Sequence, residues 1–148
     1  AKKAFKMKHP NQSQSMMHQL SEFHTTFGHP QDAPYLDDHI RALRKRLIKE
    51  ESEELLEALE NEDQEQVLKE LCDLLYVTIG LADTYGWNVD VAFNRVHTSN
   101  MSKLDGEGNV LRDEGNKILK SENYEAPILS DLVYGGGIPQ MYLNKKIA

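Results

Sequence analysis

Residues Glu50–Ala82 read EESEELLEALENEDQEQVLKELCDLLYVTIGLA. Leu55, Leu56 and Leu59 continue a helical spacing that begins at Ile40, Leu43, Leu47 and Ile48. The spacing predicts a long helix, capped by Asp37 or Asp38 and running to about Glu60. Asn61 to Gln64 is a short polar break. A second long helix follows from about Gln66 to Tyr85, ended by Gly86. From Leu71 to Ala82 it is apolar on most sides, which predicts a buried central helix. A link this short folds the two helices antiparallel. Residues three apart share a helical face. Glu51 and Glu54 therefore point one way, as do Glu70 and Asp73, and the two pairs can face each other.

Four carboxylates gathered at the edge of an apolar core repel one another, and burying them requires a counter-charge. A hard divalent cation supplies it. Mg²⁺ prefers oxygen ligands and commonly bridges carboxylates to substrate phosphates. Mn²⁺ suits the same donors. An E-x-x-E pair alone is common on solvated acidic helices. An E-x-x-D pair leading straight into LLYVTIGLA is more telling, because charge rarely borders a buried stripe without a reason. Glu53, Glu57, Glu60, Glu62 and Glu65 read as solvated surface.

Outward from this hairpin, the apolar spacing of Met16, Met17, Leu20, Phe23 and Phe27 predicts a first helix, stopped by Gly28 and Pro30. Residues 28–36 read as a loop. A fourth helix is predicted from about Val89 to Leu104, opened by Asn88 or Asp90. Residues 105–109 are turn-rich, and Val110 to Lys120 reads as a short hairpin turning at Gly115-Asn116. The resulting organisation is a mobile basic arm over 1–12, a helical domain over 13–125, and a loop-like tail over 126–148 that is most flexible at Gly135-Gly136-Gly137. The fold class is all-α. An antiparallel bundle of about four helices carries a short C-terminal hairpin extension, and oligomerisation completes its core.

Length and charge exclude several functions. The 148 residues suit one domain. The net charge of −7 is concentrated: nine Glu and two Asp against Lys69 make residues 50–73 −10, leaving +3 elsewhere. That balance argues against a nucleic-acid or anionic-membrane partner. Cys72 is the only cysteine, so there is no intramolecular disulfide framework, and it reads as a packed thiol. The basic start AKKAFKMKHP has no apolar core and does not read as a signal peptide. A soluble, reducing, cytoplasmic setting is the simplest expectation. No G-x-x-x-x-G-K-[ST] loop occurs, so a metal site has to handle any phosphate.

The string RLIKEESEELLEALENEDQEQVLKELCDLLYVTIGLA resembles the core of the MazG-like all-α nucleoside triphosphate pyrophosphohydrolases. That superfamily also holds the phosphoribosyl-ATP pyrophosphohydrolases and dimeric dUTPases. Its signature, E-E-x-x-E, a spacer, then E-x-x-D, is matched by Glu50, Glu51, Glu54, Glu70 and Asp73. FHTTFGHP (Phe23–Pro30), HTSNMSKL (His97–Leu104) and KILKSENY (Lys117–Tyr124) resemble flanks of a short, single-domain subgroup. Asn116 departs from that pattern as an extra residue before Lys117.

The resemblance implies cleavage of a (d)NTP between its α- and β-phosphates, giving a monophosphate and pyrophosphate. Glu51, Glu54, Glu70 and Asp73 would bind Mg²⁺ (or Mn²⁺), and Glu50 would act as general base. It further implies that the His97, Asn100 and Lys103 stripe faces the nucleotide, with a solvated polar face as the alternative and the favoured one for His97; Lys117, Lys120 and Tyr124, after the hairpin, read either as residues that close over the phosphates or as a generic basic loop. The chain would work as a homodimer or homotetramer.

Two other readings stay open. One is phosphoribosyl-ATP hydrolysis on the same metal geometry. The other is a non-enzymatic module whose acidic face binds a basic partner. Arg41, Arg44 and Arg46 read as helix-surface residues, with service to the acidic site as the alternative. His24 lies inside the family-like FHTTFGHP, which puts it either near the site or in a structural role. Trp87 reads as an anchor at a helix junction.

Overall fold

The computed structural model describes residues 14–134. The basic arm over 1–12 and the glycine run at 135–137 lie outside the described residues. The elements are α1 (Met16–Phe27), α2 (Asp38–Asn61), α3 (Gln64–Tyr85), α4 (Val89–Met101) and α5 (Ser130–Tyr134). Among the described residues there is no strand, only an isolated antiparallel bridge between Arg112 and Ile118. The chain is all-α, as its periodicity predicts. It divides after Gly86 into two compact units.

The helices of the first unit begin at side-chain caps. Ser15 Oγ accepts from the His18 N–H at 3.2 Å and Asp37 Oδ1 from the Ile40 N–H at 2.8 Å. Asp63 Oδ1 accepts from the Gln66 N–H at 3.2 Å. Each satisfies one of the orphan donors of a first turn. α1 and α3 end at Gly28 and Gly86, both left-handed. α2 ends at Glu62, which is also left-handed with φ 53°, and Asp63 starts α3 at once. The two-residue link makes α2 and α3 antiparallel neighbours, and α1 packs on α3.

This unit is closed by small and polar groups more than by large apolar ones. Leu20, Leu36, Ala58 and Ala82 are buried, and so are His24, Arg44, Glu70, Asp83 and Thr84. Three expectations need correction. Arg44 does not lie on the helix surface but is 5% exposed. Gly80 makes the room: a Cβ there would sit 2.9 Å from Arg44 Nη1 and 3.3 Å from His24 Nε2. Nor is α3 buried all round. Leu68, Leu71, Leu75 and Tyr76 are exposed, and Cys72 is an exposed thiol, not a packed one.

Arg44, His24, Asp83 and Gln31 form one buried network. Arg44 Nη2 lies 3.0 Å from His24 Nε2, and His24 Nδ1 lies 2.8 Å from Asp83 Oδ2. Gln31 Nε2 donates to the same carboxylate oxygen at 3.0 Å. A guanidinium only donates, so Nε2 of His24 accepts and Nδ1 carries the proton given to Asp83. His24 is therefore neutral. Burial pushes its pKa below the ordinary value, the Asp83 hydrogen bond opposes this, and the Arg44 charge adds to it.

In the second unit, Asn88 Oδ1 caps α4 by accepting from the Val91 N–H at 3.2 Å. α4 ends at Met101, earlier than its spacing predicts, because Ser102 turns the chain. Ser102 Oγ takes up the Ser99 carbonyl at 2.6 Å. The expected hairpin over 110–120 is reduced to the single Arg112–Ile118 bridge around a turn at 113–116. Asn116 sits in that turn with φ 67°. The stretch expected to be loop-like contains α5. Its Asp131 takes two hydrogen bonds from Arg95, at 2.6 and 3.0 Å.

Candidate functional site

The α2–α3 hairpin brings Glu51, Glu70 and Asp73 together, with one oxygen of each within 4.8 Å of the others. The reason is local. Glu51 is two turns and more from the link on α2, and Glu70 and Asp73 share one face of α3 at a matching height. Glu70 is only 3% exposed, while Glu51 and Asp73 are half-buried. Oε2 of Glu51 and Oε2 of Glu70 are buried without a hydrogen-bond partner. Buried carboxylate oxygens with no donor are unfavourable by themselves. An all-oxygen, acceptor-only set of this kind fits a hard divalent cation.

Glu54 is exposed and lies outside that trio. Its carboxyl is held above the usual range, first by a hydrogen bond with Glu70 and then by the charges of Glu51 and Glu70. Two carboxylates can share such a bond only when one is protonated. With both ionised, Oε2 of Glu70 has no donor. Glu50 is exposed, and its Oε1 lies 3.8 Å from Arg46 Nε. It sits about 100° round the helix from Glu51 and so flanks the trio.

Two residues absent from the sequence-based expectation touch the cluster. Gln66 Nε2 donates to Glu70 Oε1 at 2.6 Å. Lys69 Nζ reaches Glu70 Oε1 at 3.2 Å and Asp73 Oδ2 at 2.8 Å. Asp73 first, then Glu70, hold the Lys69 ammonium well above its ordinary range. The signal was available: Gln66 and Glu70, and Lys69 and Asp73, are each spaced i, i+4.

The expected substrate-side residues all belong to the second unit. His97 and Asn100 are exposed on α4. Lys103 lies past the helix end, where its N–H donates to the Asn100 carbonyl at 3.2 Å. The stripe is thus two helical positions followed by a turn. Lys117 anchors the 113–117 turn through its backbone N–H to Asp113 Oδ1 at 2.9 Å. Lys120 and Tyr124 are brought together, with Nζ 4.5 Å from the ring centroid.

The sequence pattern of the phosphoribosyl-ATP pyrophosphohydrolase family matches residues 20–100. The match takes in Glu50, Glu51, Glu54, Glu70 and Asp73, and also His24, Arg44 and Asp83. An uncharacterized protein of Acanthamoeba polyphaga mimivirus is 34% identical over 77 residues, covering 48% of this chain. The shared stretch spans 31% of that viral protein.

Proposed function

The chain belongs to the phosphoribosyl-ATP pyrophosphohydrolase family, part of the MazG-like all-α NTP pyrophosphohydrolase superfamily, and on that premise we propose that it is a Mg²⁺-dependent nucleoside triphosphate pyrophosphohydrolase. One observation carries the metal dependence: three carboxylates converge within 4.8 Å, and two of their buried oxygens lack any donor. Water attacks the α-phosphorus, the bond from that phosphorus to the bridging oxygen breaks, and pyrophosphate leaves with the electron pair. The products are a (d)NMP and diphosphate.

Glu51, Glu54, Glu70 and Asp73 hold the cation, with Mn²⁺ as a substitute. When bound, it neutralises the triphosphate and the charge developing on the leaving group. Glu50, exposed beside the trio, orients or deprotonates the attacking water. His97, Asn100 and Lys103 contact the nucleotide. Lys117, Lys120 and Tyr124 contact its phosphates. A second copy of the chain covers the exposed stripe of Leu68, Leu71, Leu75 and Tyr76 on α3, giving a homodimer or homotetramer. A single-chain mass by light scattering at assay concentrations would sink that assembly.

Pyrophosphate release from dNTPs, NTPs and phosphoribosyl-ATP, with Mg²⁺ or with EDTA, tests the reading. Release requires Mg²⁺, and Glu54→Gln abolishes it. Glu50→Gln loses turnover but keeps metal binding. The name of the matched family favours a second reading, hydrolysis of phosphoribosyl-ATP. Turnover of that substrate well above every NTP would establish the second reading instead. No release from any substrate by the folded protein would refute both. Among the described residues no helix is long and apolar enough to cross a membrane.

A further inference from the structure

Asp63-x-x-Gln66 has the spacing of a capping box, in which the Gln side chain reaches back to the backbone N–H of the N-cap residue, here Asp63. Here the carboxamide goes forward instead. Gln66 Nε2 donates to Glu70 Oε1 at 2.6 Å. Lys69 Nζ meets the same oxygen at 3.2 Å. Both donors thus engage one edge of the carboxylate, and the other oxygen, Oε2, stays buried and unpartnered. The terminal torsion of a glutamate is soft and nearly two-fold. Its neighbours therefore decide which oxygen turns inward. Lys69 is divided between Glu70 and Asp73 and brings a charge. Gln66 brings a donor and no charge.

We infer that Gln66 is a positioning residue for divalent-cation binding: by holding Oε1 of Glu70 it leaves Oε2 as the oxygen offered to an ion shared with Glu51 and Asp73. The inference rests on the metal-dependent reading proposed above. Outer partners of this kind commonly change metal affinity about 10–100-fold. A charged partner would also repel the incoming cation, whereas a neutral amide orients the ligand without that opposition. This is the physical reason to assign the role to Gln66 and not to Lys69.

The test titrates Mn²⁺ alone into the full chain by calorimetry and measures thermal midpoints with and without Mn²⁺. The variants are Gln66→Leu, which removes the donor, and Gln66→Asn, which keeps the carboxamide one methylene too short. Both are expected to bind Mn²⁺ at least about tenfold more weakly, with the metal-free midpoint little changed. The Asn variant carries the test if the Leu variant fails to fold. Unchanged Mn²⁺ affinity, with midpoints lowered equally with and without the ion, would make Gln66 a helix-start residue and overturn the inference. No Mn²⁺ binding by the unaltered chain would remove the metal reading itself, and the positioning role with it.

Discussion

The α2–α3 hairpin carries two polar clusters that differ in one respect. Glu51 follows Arg44 by seven residues on α2, and Asp83 follows Asp73 by ten on α3. At one level Arg44, neutral His24, Asp83 and Gln31 pair a cation with an anion and close the contacts with hydrogen bonds. At the other, Glu51, Glu54, Glu70 and Asp73 are four acids with, among the described residues, one cation, Lys69, within ion-pairing distance. The first cluster balances its charge within the chain, although Arg44 Nε is left buried without a partner, and it reads as architecture. The second has two stranded oxygens and reads as a receptor for positive charge from outside. In this hairpin charge balance, more than burial, tells the two clusters apart.

The strongest way to break this comparison is Arg44→Met. It removes the charge that balances Asp83 and leaves His24 Nε2 without its donor, while Asp83 keeps its bonds from His24 and Gln31, and the loss of stability should be about 1–3 kcal/mol in denaturant unfolding. A change under about 1 kcal/mol would mean the buried network is not a balanced pair. Glu70→Gln should act oppositely at the other cluster. It removes repulsion, so the metal-free protein unfolds no more easily, yet metal-dependent turnover should fall about 10²–10³-fold. Loss of stability together with retained turnover would exchange the roles assigned to the two clusters.

Acid sharpens the contrast. The folded pKa of His24 lies below its ordinary value of 6.5. Between the folded and unfolded values the unfolded chain binds more protons, so stability rises with pH there. The His24 contribution is whole above about pH 6.5 and is lost as pH falls toward the folded value. Resistance to urea should therefore fall on acidification, by at most about 1.4 kcal/mol per pH unit from one site. His24→Gln should flatten that part of the profile, and an unflattened profile would place the titration elsewhere. The smallest expected effect is at the link. Glu62→Gly relieves a left-handed non-glycine residue and should stabilise the fold by about 0.5–1 kcal/mol with Mn²⁺ affinity unchanged.

Helices and their caps were legible because their causes are local. Asp37, Asn88, Gly28 and Gly86 serve as the expected stops and starts. The convergence of Glu51 with Glu70 and Asp73 was also legible, since a short link fixes which helix levels face each other. The buried network was not read, because its members come from three helices and a loop. Even so, Arg44 stands four residues after Ile40 and three before Leu47, inside an apolar stripe. Gly80 in mid-helix marks a close approach. Cys72 was misplaced because an apolar segment does not reveal which of its sides meets another helix. The short α5 depends on Asp131 meeting Arg95, a contact 36 residues away in sequence that no periodicity reports.

The two-residue link between α2 and α3 also bears on how the chain folds. All four acids lie between positions 51 and 73, so their encounter requires closing only a short stretch of chain. Loop-closure entropy grows slowly with length, at about 0.6 kcal/mol per doubling. Contacts this local favour rapid folding. If the hairpin forms early, its four like charges come together during the search for the native state. A divalent ion present at that moment would act as a template, so refolding of α2 against α3 should be faster when the ion is in the refolding buffer.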